Sequence, residues 1–126
     1  MRFIKKGKIY ITTRITGTQD NILGISFDES NSNKIEVLEW PIETGCTIQT
    51  SKEEVLEQVL SSLESINRSL NTNYKLSKIY FLPSEKSSDL IYKLLISKLI
   101  RHYHEGKEFK KSSNFGDLLE NMSWNN

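Results

Sequence analysis

Lys8-Ile9-Tyr10-Ile11-Thr12-Thr13-Arg14-Ile15-Thr16 alternates residue by residue. Ile9, Ile11, Thr13 and Ile15 fall on one side, and Tyr10, Thr12, Arg14 and Thr16 on the other. A side-chain period of two predicts a β-strand with one buried face. Working outward, Gly17-Thr18-Gln19-Asp20-Asn21 supplies turn residues. Residues 22–28 alternate again, with Leu23, Ile25 and Phe27 against Gly24, Ser26 and Asp28. Ser30-Asn31-Ser32-Asn33 makes a second turn, and residues 34–40 read as a third strand stopped near Pro41. The alternation slips between Val37 and Leu38, which predicts a bulge or apolar contact on both faces. Strands joined by such short turns predict an antiparallel meander.

The period then lengthens. Ser51-Lys52-Glu53-Glu54 has the form of a capping box, in which the serine hydroxyl accepts from the third helical amide and the glutamate reaches back. Val55, Leu56, Val59, Leu60, Leu63, Ile66 and Leu70 follow at helical spacing as one apolar stripe, ending at Asn71-Thr72-Asn73. Leu76 to Leu82 is a fourth strand, more buried because Ile79-Tyr80-Phe81-Leu82 is a continuous apolar run closed by Pro83. Ser84 or Ser87 starts a second helix, with Ile91, Leu94, Leu95, Leu99 and His102 or Tyr103 along its stripe and Gly106 as its stop.

The order β-β-β-α-β-α predicts an α+β fold. We expect two layers, an antiparallel sheet of about four strands with helices packed on one face. Residues 1–126 form a single domain: a globular body over 1–111 and a C-terminal tail over 112–126. In the tail, Phe115, Leu118, Leu119, Met122 and Trp124 are spaced for a short docking helix.

The net charge of +1 conceals segregation along the chain. Residues 1–16 hold five bases and no acid, residues 17–64 carry a net −8, and residues 65–111 a net +6. Such blocks suit a charged partner; the alternative is that they neutralise each other within the fold. Cys46 is the sole cysteine, so no internal disulfide forms, and no apolar run reaches the length of a secretory signal or a membrane span. A cytoplasmic protein is expected.

The residue types that carry catalysis do not assemble into a pattern. His102 and His104 point about 200° apart on a helix, a poor chelate, and suit its C-terminal dipole better. Cys46 has no sequence-adjacent base to activate it. The six glycines are scattered, so no phosphate loop exists. The chain is therefore expected to be no enzyme, with no cofactor, metal or small-molecule substrate. Lys93, Lys98, Arg101, His102, Lys107, Lys110 and Lys111 could contact nucleic-acid phosphates, but no aromatic-basic recognition signature accompanies them. The acidic block is the sharper feature, able to steer and mask a basic partner. Within it, Trp40 fits either an aromatic interface anchor or a core tryptophan at a strand end.

Asn21-Ile22-Leu23-Gly24-Ile25-Ser26-Phe27 and Ile35-Glu36-Val37-Leu38-Glu39-Trp40-Pro41 resemble stretches of the immunity proteins of bacterial contact-dependent growth inhibition systems. So do Lys78-Ile79-Tyr80-Phe81-Leu82-Pro83 and His102-Tyr103-His104-Glu105-Gly106-Lys107-Glu108-Phe109, and the likeness spans about residues 8–110. The resemblance implies a cytoplasmic inhibitor that binds one-to-one to the C-terminal toxin domain of a cognate exoprotein, often a nuclease. It supplies no transferable binding residue. From charge and turn position alone, the expected partner-binding set is Asp20, Asp28, Glu29, Glu36, Glu39, Trp40 and Glu43.

Overall fold

A computed structural model describes residues 1–16, 19–30, 34–40, 50–82 and 90–111, with backbone only at 15, 16, 19 and 20. Glu43, Cys46, Ser84, Ser87 and the whole tail lie outside the described residues. The elements are β1 (Arg2–Lys6), β2 (Ile9–Thr16), β3 (Gln19–Phe27), β4 (Glu36–Glu39), α1 (Lys52–Leu70), β5 (Leu76–Phe81), α2 (Ile91–His104) and β6 (Lys110–Lys111). The α+β class is as expected. The sheet is larger and mixed, with six strands in the order β4-β5-β3-β2-β1-β6.

Two expectations about the sheet are corrected. The antiparallel meander exists one strand earlier, as β1-β2-β3, because Arg2–Lys6 pairs with β2 through a turn at Gly7, whose φ of +58° suits glycine. The strand over 34–40 does not pair with β3. It runs parallel to β5, and β5 inserts between them, antiparallel to β3. Leu76, Ile79 and Phe81 are buried, so β5 belongs inside the sheet, whereas β4 exposes Glu36 and Glu39 and suits an edge. The register irregularity lies between β3 and β5, at Ser26 and Phe27.

Both helices cover one face. Leu23, Ile25, Ile79 and Phe81 of the sheet pack against Val55, Val59, Leu63 and Ile66 of α1 and Leu95, Ile96, Leu99 and Ile100 of α2. Tyr10 stands on this face, against Tyr103 and Phe109, so the helices cover the side of β2 that reads as polar. The other side is buried too: Ile4, Ile9, Ile11 and Ile22 form a second cluster with Trp40. The strand expected to be half-buried is thus buried on both faces. Thr12 tolerates this because its hydroxyl donates to the Arg2 carbonyl at 3.0 Å.

The helix ends follow local chemistry. The Ser51 hydroxyl accepts from the Glu54 amide at 3.3 Å and donates to the Glu54 carboxylate at 3.3 Å, so the glutamate reaches back to the serine side chain rather than to its amide. Asn71 ends α1 with a left-handed φ of 56°. Asn67 then ties down the following turn: its side chain donates to the Tyr74 carbonyl (3.0 Å) and accepts from the Tyr74 amide and Thr72 hydroxyl (both 2.9 Å). The second helix begins at Ile91 with Leu90 in the capping position and no side-chain cap. Gln58 of α1 substitutes for one, accepting from the Tyr92 amide at 3.2 Å. The stop at Gly106 is as expected: φ is +69°, with Gly106 bonded to the Tyr103 carbonyl and Lys107 to that of His102.

Candidate functional site

The strand order puts part of each charge block at opposite edges of the sheet, while Lys78 stands in register beside Glu36 and Arg68 pairs with Glu64. At one edge lies β4, with Glu36 and Glu39 exposed and Val37 and Leu38 turned partly inward. Helix α1 packs beside this edge. Its buried stripe is Val55, Val59, Leu63 and Ile66. On the opposite side, at spacings of four, three and four, stand Glu53, Glu57, Leu60 and Glu64. This outward face is acidic, and at 38% exposed Leu60 is an apolar point within it. Glu53 and Glu54 are also in the first turn, where the helix dipole favours carboxylates.

At the far edge, β6 lies parallel to β1, with Lys110 beside Ile4 and Lys111 beside Lys5. Lys5, Lys110 and Lys111 are exposed there. The ion pairs Lys8–Glu29 (3.5 Å), Arg68–Glu64 (3.1 Å) and Lys107–Glu105 (2.8 Å) are all solvent-exposed. Pairs of this kind contribute little to folding. The Lys107 hydrogen bond holds the Glu105 carboxyl below its ordinary range.

The expected partner-binding residues do not form one patch. Glu36 and Glu39 are both on β4 but on opposite faces, Glu36 in register with Lys78 away from the helices and Glu39 with Phe81 on the helix side. Asp28 and Glu29 follow β3, two strands away; the Asp28 carboxylate accepts from the Ser30 amide and hydroxyl at 3.1 Å each. Asp20 is near the start of β3, roughly 25 Å of extended chain from Asp28. Trp40 is only 4% exposed. Its indole packs over Gly24, stacks with Tyr80 at 6.0 Å, and belongs to the core cluster with Ile9 and Ile11. Glu43 lies outside the described residues. The acidic block of the sequence includes Glu53, Glu57 and Glu64, so this face is legible there as charge; what the helical spacing hides is Leu60, which reads as part of the apolar stripe and stands on the outward face instead.

The two histidines serve the packing of α2. His102 stacks on Phe3 with centroids 3.8 Å apart and its Nε2 meets the Glu108 carbonyl at 2.7 Å. His104 Nδ1 meets the Tyr74 hydroxyl at 2.8 Å. Burial, with the neighbouring Tyr103, raises the Tyr74 phenol above its ordinary value. Among the described residues no three histidine, cysteine or acidic side chains converge as a metal site. Nor, among them, is any helix long and apolar enough to cross a membrane. No protein-family profile, curated protein or solved structure matches the chain.

Proposed function

We propose that this chain is an immunity protein, a cytoplasmic one-to-one inhibitor of the nuclease toxin domain of a contact-dependent growth inhibition exoprotein. The observation that carries the reading is the acidic side of the molecule: the outward face of α1, with Leu60 among Glu53, Glu57 and Glu64, beside the β4 edge where Glu39 is exposed on the helix side. Carboxylates around an apolar contact suit a basic, phosphate-binding protein surface, where charge speeds encounter and Leu60 adds buried area. The resemblance in residues 8–110 supports the same class. An inhibitor of this kind turns nothing over and needs no cofactor.

Co-expression with the C-terminal domain of the exoprotein encoded directly upstream tests it. A one-to-one complex is expected, weakened by salt and by Glu53→Lys with Glu57→Lys. Absence of a complex at low salt overturns the reading. A second reading, a nucleic-acid-binding regulator, draws on Lys5, Lys110 and Lys111 standing together across the β1–β6 pairing. Polarisation with mixed DNA and RNA separates the two, since tight binding that falls steeply with salt belongs to the second.

A further inference from the structure

The sheet face away from the helices is apolar and buried, yet among the described residues no helix or strand lies over it. Ile4 and Ile11 are 0% exposed, and Thr13 and Ile22 1%. The register joins them into one patch: Ile4 pairs with Ile11, Ile11 with Gly24, and Thr13 with Ile22. Trp40 covers the part next to Gly24 and Ile9. Its indole comes from β4, which is three strand spacings from β2, about 14 Å, and four from β1, about 19 Å. A sheet buried on both faces needs a layer on each, so the part of the patch over β1 and β2 requires a cover of its own.

Two stretches between described elements are poorly tethered for that task. Residues 41–49 start at Trp40 on the far edge and must return to Thr50 and α1, which packs on the helix side. Residues 83–89 are polar apart from Pro83 and must lead into α2. Residues 112–126 start in the right place. Lys110 pairs with Ile4 and Lys111 with Lys5, so this segment departs from the edge of the patch itself. Ser112-Ser113-Asn114 reaches about 10 Å when extended, the separation of stacked layers. Phe115, Leu118, Leu119 and Met122 then recur at the spacing of one helix face, with Trp124 beyond. A helix of ten residues is about 15 Å long and would cross β1, β2 and β3, whose axes span about 10 Å. The charges agree as well. Lys110 is exposed beside Ile4, while residues 112–126 carry Asp117 and Glu120 and no base.

We propose that the face formed by Ile4, Ile11 and Ile22 is the seat of residues 112–126, which dock there as a third layer through Phe115, Leu118, Leu119 and Met122. The segment is then part of the fold and not an arm for a partner. The proposal is independent of the toxin-binding reading, whose surface is on the α1 side.

Methyl nuclear magnetic resonance of the full chain tests it. Nuclear Overhauser contacts are expected from the Ile4 and Ile11 Cδ1 methyls to Phe115, Leu118, Leu119 or Met122. Leu118→Asp with Leu119→Asp should raise the relaxation of the Ile4 and Ile11 methyls by a soluble gadolinium chelate severalfold. Ile96 and Ile100, buried between α2 and the sheet, should keep their wild-type values. The wild-type contacts decide alone should the double variant fail to fold. Absence of any contact to residues 112–126 overturns the proposal. Contacts to Ile42 or Ile48 in their place give the face to residues 41–49, and contacts seen only between differently labelled chains give it to a second copy; either overturns it.

Discussion

Replacing Gly24 by alanine should destabilise the protein, and removing the Trp40 indole should remove most of that cost. A Cβ at Gly24 would lie 3.2 Å from Trp40 Cζ2, 3.3 Å from Trp40 Cη2 and 3.3 Å from Ile9 Cγ2. Carbon atoms prefer about 3.5–4.0 Å, so the indole must retreat by a few tenths of an ångström. It is poorly placed to do so. The Trp40 amide donates to the Phe81 carbonyl at 2.9 Å, and the ring is stacked on Tyr80. Overpacking of this kind costs about 1–3 kcal/mol. Alanine returns about 0.4–1 kcal/mol by restricting the unfolded chain. The overpacking wins, leaving a net loss of about 1 kcal/mol. In a Trp40→Leu background the two crowding ring atoms are gone and only the Ile9 Cγ2 contact at 3.3 Å remains, so Gly24→Ala should cost less or become neutral. Urea unfolding of the four proteins, followed by circular dichroism, gives the coupling energy, expected at about 1–2 kcal/mol. Equal effects of Gly24→Ala in the two backgrounds would refute the packing argument.

Asn67→Ala should cost about 2 kcal/mol in the same unfolding assay, since it strips the partners from the Tyr74 amide and carbonyl together. Gln58→Ala should cost about 1 kcal/mol and speed hydrogen exchange at the Tyr92 amide, with Gln58→Glu retaining more protection because it still accepts. Tyr74 should ionise at higher pH than an ordinary tyrosine, seen as a difference between the alkaline ultraviolet titrations of the wild type and Tyr74→Phe. A raised folded-state pKa means that this contribution to stability is complete below the ordinary tyrosine range and fades as pH rises through the raised value.

Helix α1 was legible almost to the residue. Its cap at Ser51, its stripe and its stop at Asn71 are local signals, and each was met locally. Strand pairing was not legible in this way. The run Ile79-Tyr80-Phe81-Leu82 marks a buried strand, but nothing in its own chemistry says that it separates β3 from β4. The strand β1 was hidden because Lys5, Lys6 and Lys8 crowd a stretch whose apolar content is Phe3 and Ile4 alone. Those two residues meet opposite faces, Phe3 with His102 and Ile4 in the Trp40 cluster. Trp40 takes the core place that a strand-end tryptophan allows, and Leu60, placed in the apolar stripe by its spacing, is on the surface. Charge was readable block by block, while its division between the two sheet edges depends on the strand order.

The position of β5 also governs when the sheet can close. The β1-β2-β3 hairpins join neighbours in sequence and can form as soon as they are made. Strand β4 has no partner until residues 76–81 arrive, and the β3 edge next to it waits for the same segment. Long-range pairings are slow because the intervening chain must be ordered first. A ribosome-bound chain ending within α1 therefore presents an open β3 edge, and the Glu36 and Glu39 carboxylates discourage a second nascent chain from docking on the waiting β4.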